Sequence, residues 1–340
     1  MIPFFSIIIP AYNVENYIGR AITSIFNQSF QDYEIIIVND GSVDKTSDTI
    51  DEYTKKNEKI KILNHIQNES QHVSRIDGVA ASNGQYVMFL DADDYFSDDS
   101  LNFLYNEIQK NPGFDFYEFG YIRQPSCEVV LPSFAGEDRF TAFFTKFNCP
   151  VPTIWNKVYN STIIKKSFAS LERVYINNAE DVYESIVISY YAKNTYTTNE
   201  VIINYSVGTG ISTSYKDYKK TLDFLASTKK TILHIQNFLI KINQNINLND
   251  LNYQFLCYCI NNYINNQKDE NDKINLFLKL NDYFNDTVIL DYLYNKEKSC
   301  KELEISYKEE IINILNSKNY RFGKILLYPL RILKKVFYKK

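Results

Sequence analysis

The chain contains no long hydrophobic run. Its first apolar stretch, Phe4 to Ile9, is cut by Pro10, far short of the ~20 consecutive apolar residues a membrane-spanning helix needs. No basic segment precedes that stretch, so it does not read as a secretory leader, and the expectation is a cytoplasmic protein. Cysteine is sparse: Cys127, Cys149, Cys257, Cys259 and Cys300 are an odd set without a C-x-x-C spacing. That pattern argues against a disulfide framework and a zinc site, leaving free thiols in a reducing compartment. The three histidines, His65, His72 and His234, lack metal-ligand spacing and receive no role. No G-x-G-x-x-G follows the first strand pattern, which counts against a dinucleotide lying on a glycine-rich turn.

What is present fits a soluble chain of 340 residues, long enough for one large domain with an appendage, or for two domains. Tyr, Phe, Asn, Ile and Lys are used heavily, a bias of coding composition before it is a sign of sugar stacking. Charge is unevenly placed. The formal balance is −4, yet residues 318–340 hold eight Lys or Arg and no acid, so an acidic body carries a basic tail. Segment 319–340 interleaves its cations with Ile325, Leu326, Leu330, Leu333 and Phe337 and is too charged to span a bilayer. It either lies in an anionic membrane interface, at the inner face of the cell membrane, or packs its apolar side on preceding helices. Nucleic-acid binding is disfavoured because the acidic body would oppose it.

The first part of the chain alternates strand and helix, the pattern of a parallel sheet covered by helices. Strands are expected at Ser6–Ile9, Glu34–Val38, Ile60–Leu63 and Tyr86–Leu90. Helices are expected at Asn16–Gln28, after a cap at Asp44, and at Gln71–Ser82, the last closed by a left-handed Gly84. Past residue 111 prolines break the segments, with strands expected at Phe114–Phe119 and Glu200–Ser206 and a helix at Asn178–Tyr191. Helical periodicity takes over in Thr221–Ile242 and Leu251–Ile264. The boundary is placed near residue 212, giving an α/β domain over 1–212 and a helical region over 213–340.

In such sheets, ligands bind beyond the carboxyl ends of the strands. The segments there are Pro10-Ala11-Tyr12-Asn13, Asn39-Asp40-Gly41-Ser42 and Asp91-Ala92-Asp93-Asp94, which leave a mononucleotide as the ligand to consider. Asp40 either accepts from a ribose hydroxyl or a pyrimidine N–H, or is a turn residue before glycine. Along an extended chain Asp91 and Asp93 fall on one face, where they can share a magnesium or manganese ion with a diphosphate. The competing reading makes these acids the start of a loop, with Asp98 or Asp99 capping a helix near Ser100. It accounts for the last two but not for two carboxylates at the end of a buried strand, where unpaired charge is costly.

F-S-I-I-I-P-A-Y-N at 5–13, I-I-I-V-N-D-G-S at 35–42, Ser74-Arg75 in a helical pattern and Y-V-M-F-L-D-A-D-D at 86–94 closely resemble the family 2 glycosyltransferases. T-I-W-N-K-V-Y at 153–159 and Asn178-Ala179-Glu180-Asp181 are similar to later blocks of bacterial polysaccharide-assembling members, so the resemblance covers roughly 4–210. It implies a Rossmann-like GT-A fold, a UDP-hexose or UDP-N-acetylhexosamine donor, and inversion at the anomeric carbon. Pro10, Tyr12, Asn13 and Ala92 then line the nucleotide pocket, Asp40 receives the uracil N–H, and Asp91 approaches the ribose. Asp93 takes the Mn2+ or Mg2+ that bridges the diphosphate. Arg75 matches an arginine that contacts the diphosphate or braces a carboxylate. The asparagine that usually follows it is replaced here by Ile76-Asp77-Gly78.

Asp181 matches the family's general base, although first-turn acids alone would read as complements to a helix dipole. Glu180 and Trp155 are acceptor-side candidates; Trp155 is either an apolar wall for a sugar or a core residue. Lys157 either reaches the diphosphate or is a surface lysine. The implied acceptor is a cell-surface glycan or its lipid-linked precursor, and a second copy could associate through the C-terminal helices. Two other classes remain. A sugar nucleotidyltransferase usually needs a glycine-rich loop where this chain has Pro10-Ala11-Tyr12-Asn13. A silent nucleotide-sugar-binding subunit would bind without turnover, whereas Asp93 and Asp181 together argue for activity.

Overall fold

A computed structural model describes residues 2–132, 134, 138–145, 149–176, 178–208 and 217–264, with scattered positions between 267 and 292. Cys300 and segment 319–340, with its membrane reading, lie outside the described residues. The chain divides into two compact units, Met1–Asn247 and Leu248–Lys340.

In the first unit, β1 (Phe5–Ala11), β2 (Tyr33–Asn39), β3 (Ile60–Asn64) and β4 (Tyr86–Phe89) form a parallel block in the order β3-β2-β1-β4. β1 is buried throughout and β2 nearly so, which explains their apolar sequences FSIIIPA and YEIIIVN. Parallel strands covered on both faces have no solvent side to mark with polar residues. Helices α1 (Ile18–Phe26), α2 (Thr46–Thr54) and α3 (Gln71–Ala81) connect them. α3 packs tightly on β1 at Gly78, where a Cβ would lie 2.4 Å from Ile8 Cγ2. Pro10 is tolerated in a central strand because the β1–β4 ladder stops at Ile8–Phe89, so its missing N–H deprives no partner there.

The other half of the sheet is mostly antiparallel. It contains β5 (Tyr95–Phe96), α4 (Ser100–Lys110), β6 (Phe116–Gln124), β7 (Glu128–Val130), α5 (Arg139–Ala142) and β8 (Lys157–Asn160). α6 (Ser161–Phe168), α7 (Glu180–Tyr191) and β9 (Thr195–Ser206) follow. β8 runs antiparallel to both β4 and β6, β9 runs parallel to β6 and antiparallel to β5, and β7 pairs with β6. The result, among the described residues, is a nine-stranded mixed sheet ordered β3-β2-β1-β4-β8-β6-β9-β5 with β7 off that path. α8 (Tyr218–Lys241) closes the unit by packing on α7, with Phe238 against Tyr190 at 5.6 Å between ring centroids. In the second unit, α9 (Asn249–Cys259) runs into a π-helical turn at Ile260–Ile264, and a short 3-10 turn spans Leu280–Asp282. Burial there pushes the Cys259 thiol up to about 12. Among the described residues no helix is long and apolar enough to cross a membrane.

Three local expectations are corrected. β4 ends at Phe89, and Asp91–Asp94 is a turn closed by Asp94 N–H donating to Asp91 O at 2.9 Å, so strand alternation does not place Asp91 and Asp93. Gly84 is not left-handed; it is required because a Cβ would meet Ser6 N and Oγ at 2.7 Å. Asp99 occupies the N-cap position of α4 at φ 58°, but its carboxylate accepts from Ser29 and Asn102 and caps no helical N–H. Asp44 lies one residue before Lys45, the N-cap of α2, and its Oδ1 accepts from Thr46 N at 3.0 Å.

Candidate active site

Arg75 is the centre of the site. It lies on α3, is 1% exposed, and faces the first turn of α7. Its Nη1 donates to Asp181 Oδ1 at 2.6 Å and to Glu184 Oε2 at 3.0 Å, with Glu180 Oε1 at 3.7 Å. Its Nη2 reaches Asp91 Oδ1 at 3.4 Å. Burial alone would ease the proton off this guanidinium, yet the charges of Asp181, Glu184, Asp91 and Glu180 hold it well above the usual arginine range. Asp181, matched from the family, and Asp91, from the D-x-D, are thus gathered on one cation.

The carboxylates are crowded. Desolvation lifts Asp91 to about 6, with Arg75 pulling down and Asp93 and Asp181 adding to the rise. Asp181 and Glu180 are likewise raised by desolvation, and Arg75 opposes the shift in each. Asp181 still keeps 29% of its side chain exposed, against 0% for Glu184, so of those two only Asp181 is open to an incoming group. The site carries more negative charge than its one guanidinium balances, which is the electrostatic setting a divalent cation fits.

The D-x-D turn is pinned from both sides. Arg20 donates to the Asp93 carbonyl and, at 2.8 Å, to Ser206 Oγ, while its guanidinium lies over the Tyr95 ring at 4.6 Å. Ser206 N donates to Asp94 Oδ1 at 2.7 Å. Burial, with the charges of Asp91 and Asp93, pushes Asp94 up to about 9. Gln71 Nε2 fixes Asp91 Oδ1 at 2.8 Å. Ala92 is buried and Asp93 half-buried. Among the described residues, no three His, Cys, Asp or Glu side chains group as a metal-binding set.

Asp40, the expected uracil acceptor, has its carboxylate engaged by donors of the protein itself. It is 2% exposed, and its Oδ1 takes His65 Nδ1 at 2.6 Å and Glu69 N at 2.8 Å. Its Oδ2 takes Asn68 Nδ2 and Ser70 N, each at 2.9 Å. A carboxylate offers about four lone-pair directions, and the segment after β3 fills them. Asp40 here shapes the loop. Asn13, at φ 52°, is similarly engaged: its Oδ1 accepts from Val43 N at 2.9 Å and its N–H donates to Ser42 Oγ at 3.1 Å. Pro10 is buried in β1, whereas the Tyr12 ring is 40% exposed beside these loops. Tyr175, 50% exposed, lies close enough for the charge of Asp40 to help raise its hydroxyl, after desolvation.

Burial decides the readings of Trp155 and Lys157. Trp155 is 5% exposed, stacked on Tyr205 at 5.0 Å and 2° and met edge-on by Tyr121 at 4.7 Å. It is a core residue and not an open wall. Lys157 is neither on the surface nor turned to a ligand: it is 4% exposed and held by Glu118 at 3.0 Å, Asn156 Oδ1 at 3.0 Å and the Thr153 carbonyl. Arg139 shares Glu118 with it.

The sequence also left working residues unread. Glu184 and His72 are both fully buried and bonded to each other at 2.8 Å, and all three histidines pair with carboxylates. α8 holds the approach to α7: Asn178 N donates to Ser227 Oγ at 3.1 Å, and Ser227 and Thr231 hydroxyls each donate to Asn178 O at 3.3 Å. Between them and Glu180, Ala179 is left-handed at φ 63°. The signal available was spacing: His72 and Arg75, and Asp181 and Glu184, are each three apart on a helix and so share a face.

Residues 6–168 match the family model described as glycosyl transferase family 2. The uncharacterized glycosyltransferase EpsJ of Bacillus subtilis (strain 168) is 37% identical over 126 residues, 37% of this chain and 36% of its own. The putative glycosyltransferase EpsH of the same strain is 26% identical over 238 residues, 65% of each chain. The chain therefore spans 36% to 65% of the length of the first curated relatives it matches. Among solved structures, S. aureus TarS 1–349 in complex with UDP has a TM-score of 0.53 at 20% identity, covering 76% of this chain and 72% of that one. Its complex with UDP-GlcNAc has a TM-score of 0.56 at 18% identity, covering 85% and 80%. These neighbours are GT-A glycosyltransferases, and the likeness establishes that fold.

Proposed function

We propose that this chain, whose residues 6–168 match the glycosyl transferase family 2 model, is an inverting glycosyltransferase with Asp181 as general base. The donor is a UDP-hexose or UDP-N-acetylhexosamine, and the acceptor is a cell-surface glycan or its lipid-linked precursor. One observation carries the reading: a single buried Arg75 bonds both Asp181 on α7 and Asp91 at the D-x-D turn. An acceptor-side carboxylate and a donor-side carboxylate are thereby held at opposite edges of one guanidinium. The uridine nucleotide draws support from neighbours of the same fold in complex with UDP and UDP-GlcNAc.

Asp181 Oδ1 is held by Arg75, leaving the other oxygen to take the acceptor hydroxyl's proton. Desolvation strengthens that carboxylate as a base while Arg75 keeps it ionised. The acceptor oxygen then bonds to the anomeric carbon from the face opposite the leaving group, and the breaking C–O bond leaves its electron pair on the nucleoside diphosphate. Asp91 addresses the ribose, and the exposed Tyr12 ring is offered to the base. Asp93 would hold Mg2+ or Mn2+ together with the diphosphate, and the surplus of carboxylate charge around Arg75 suits that ion. When bound, the metal supplies neutralisation of the charge growing on the leaving diphosphate.

The test is a panel of UDP-glucose, UDP-galactose, UDP-N-acetylglucosamine and GDP-mannose, with and without Mn2+, read as thermal stabilisation and nucleotide release. At least one UDP-sugar should raise the melting temperature and release UDP in a metal-dependent way. Asp181→Asn should keep that stabilisation and lose about 10²–10⁴ in turnover, the usual share of a general base. If no nucleotide sugar binds, or if Asp181→Asn turns over like the parent, the reading is wrong.

A further inference from the structure

His72 is fully buried, and the transfer mechanism above does not use it. It sits one turn before Arg75 on α3, facing Glu184, which sits one turn after Asp181 on α7. Its Nδ1 is 2.8 Å from Glu184 Oε1 and its Nε2 is 3.0 Å from the Glu172 carbonyl oxygen. A carbonyl only accepts, so Nε2 carries hydrogen. Glu184 Oε2 already accepts from Arg75 Nη1; with that carboxylate ionised beside the guanidinium, Nδ1 donates as well. The Tyr183 ring packs at 5.7 Å between centroids, and Arg75 is the other charged group on its own helix near Glu184.

Arg75 Nη1 is shared between Asp181 and Glu184 at 2.6 and 3.0 Å. A fully buried carboxylate left with one donor draws that donor closer, because nothing else can offset its charge. The His72 hydrogen bond supplies Glu184 with a second donor and so leaves Arg75 Nη1 turned to Asp181. We propose that His72 is a positioning residue of the transfer reaction: through Glu184 and Arg75 it sets the place of the Asp181 carboxylate. This rests on Asp181 being the base.

Two conservative substitutions separate this role from simple packing. The amide of His72→Asn can stand near Nδ1 and still donate to Glu184, while that of His72→Gln reaches toward Nε2 and the Glu172 carbonyl. Turnover is read as UDP release from UDP-glucose or UDP-N-acetylglucosamine, whichever the parent uses, and folding is read as thermal stabilisation by UDP. His72→Asn should stay within about threefold of the parent in kcat, and His72→Gln should lose about tenfold with donor KM unchanged, a fraction of the ~10²–10⁴ a general base contributes. Spectra of 15N-histidine protein, with only three histidines to assign, should show both His72 ring nitrogens bearing hydrogen. A bare Nδ1, an equal loss in both variants, or normal turnover in His72→Gln overturns the proposal. Asp181→Asn is run beside them: if it is inactive while His72→Gln is normal, the base assignment stands and only the role of His72 falls. If Asp181→Asn is fully active, the base assignment itself fails.

Discussion

Asp40 is buried and carries as many protein donors as a carboxylate ordinarily accepts. Its substitution is therefore expected to act on the loop it organises. Asp40→Asn replaces one carboxylate oxygen by an NH2 group, which in the place of Oδ2 faces the Ser70 N–H and the Asn68 amide and should cost ~2 kcal/mol or more of stability. The ratio of thermal stabilisation by UDP to that by CDP should be unchanged in the variant. A stable variant that no longer prefers UDP would return Asp40 to base recognition. The identity of Asp40 as a site residue was legible from its place after the second strand; its saturation was not. The partners that fill it arise from residues 65–70, more than twenty positions away, and no local pattern announces them. Trp155 and Lys157 show the same gap, because burial decided between their alternative readings.

Elements were legible where period and length were on their side. The β1–β4 block and helices α1 to α3 stand out because buried parallel strands are continuous apolar runs and amphipathic helices repeat at 3.6 residues. β5, β7 and β8 have two to four residues each, too few for a period to appear, and their antiparallel pairing went unforeseen. The start of α7 depends on another element altogether. Its preceding residue Ala179 is left-handed, a conformation that costs an L-residue ~1–2 kcal/mol, and the flanking Asn178 is held by Ser227 and Thr231 of α8. The clamp fixes where Glu180 and Asp181 enter the site. Replacing Ser227 by Ala and Thr231 by Val together should leave UDP stabilisation intact and lower kcat by about tenfold, within the ~10²–10⁴ range of general-base catalysis. Unchanged kcat would show that α7 holds its own start.

At the scale of the whole chain, family likeness, composition and compactness stop at different places. The family model ends at residue 168, before Asp181; the change from mixed to helical pattern falls near 212; the first compact unit runs to Asn247. α8 is the element over which the last two differ. It buries Phe224, Leu225, Ile235, Phe238 and Leu239, and large apolar side chains of this kind contribute ~1.5–3 kcal/mol each when removed from water. His234 and Asn237 add polar ties to Glu172, at 2.6 and 3.3 Å, on the segment whose carbonyl meets His72. Losing the helix would expose apolar surface and release both Asn178 and Glu172 at once. A chain ending at Asn247 is accordingly expected to melt cooperatively and to be stabilised by UDP, whereas one ending at residue 212 should aggregate or melt without a transition. Circular dichroism melts of the two fragments with and without UDP decide it. If the shorter fragment melts and binds UDP like the longer one, α8 is an appendage and its hold on Asn178 does not shape the site.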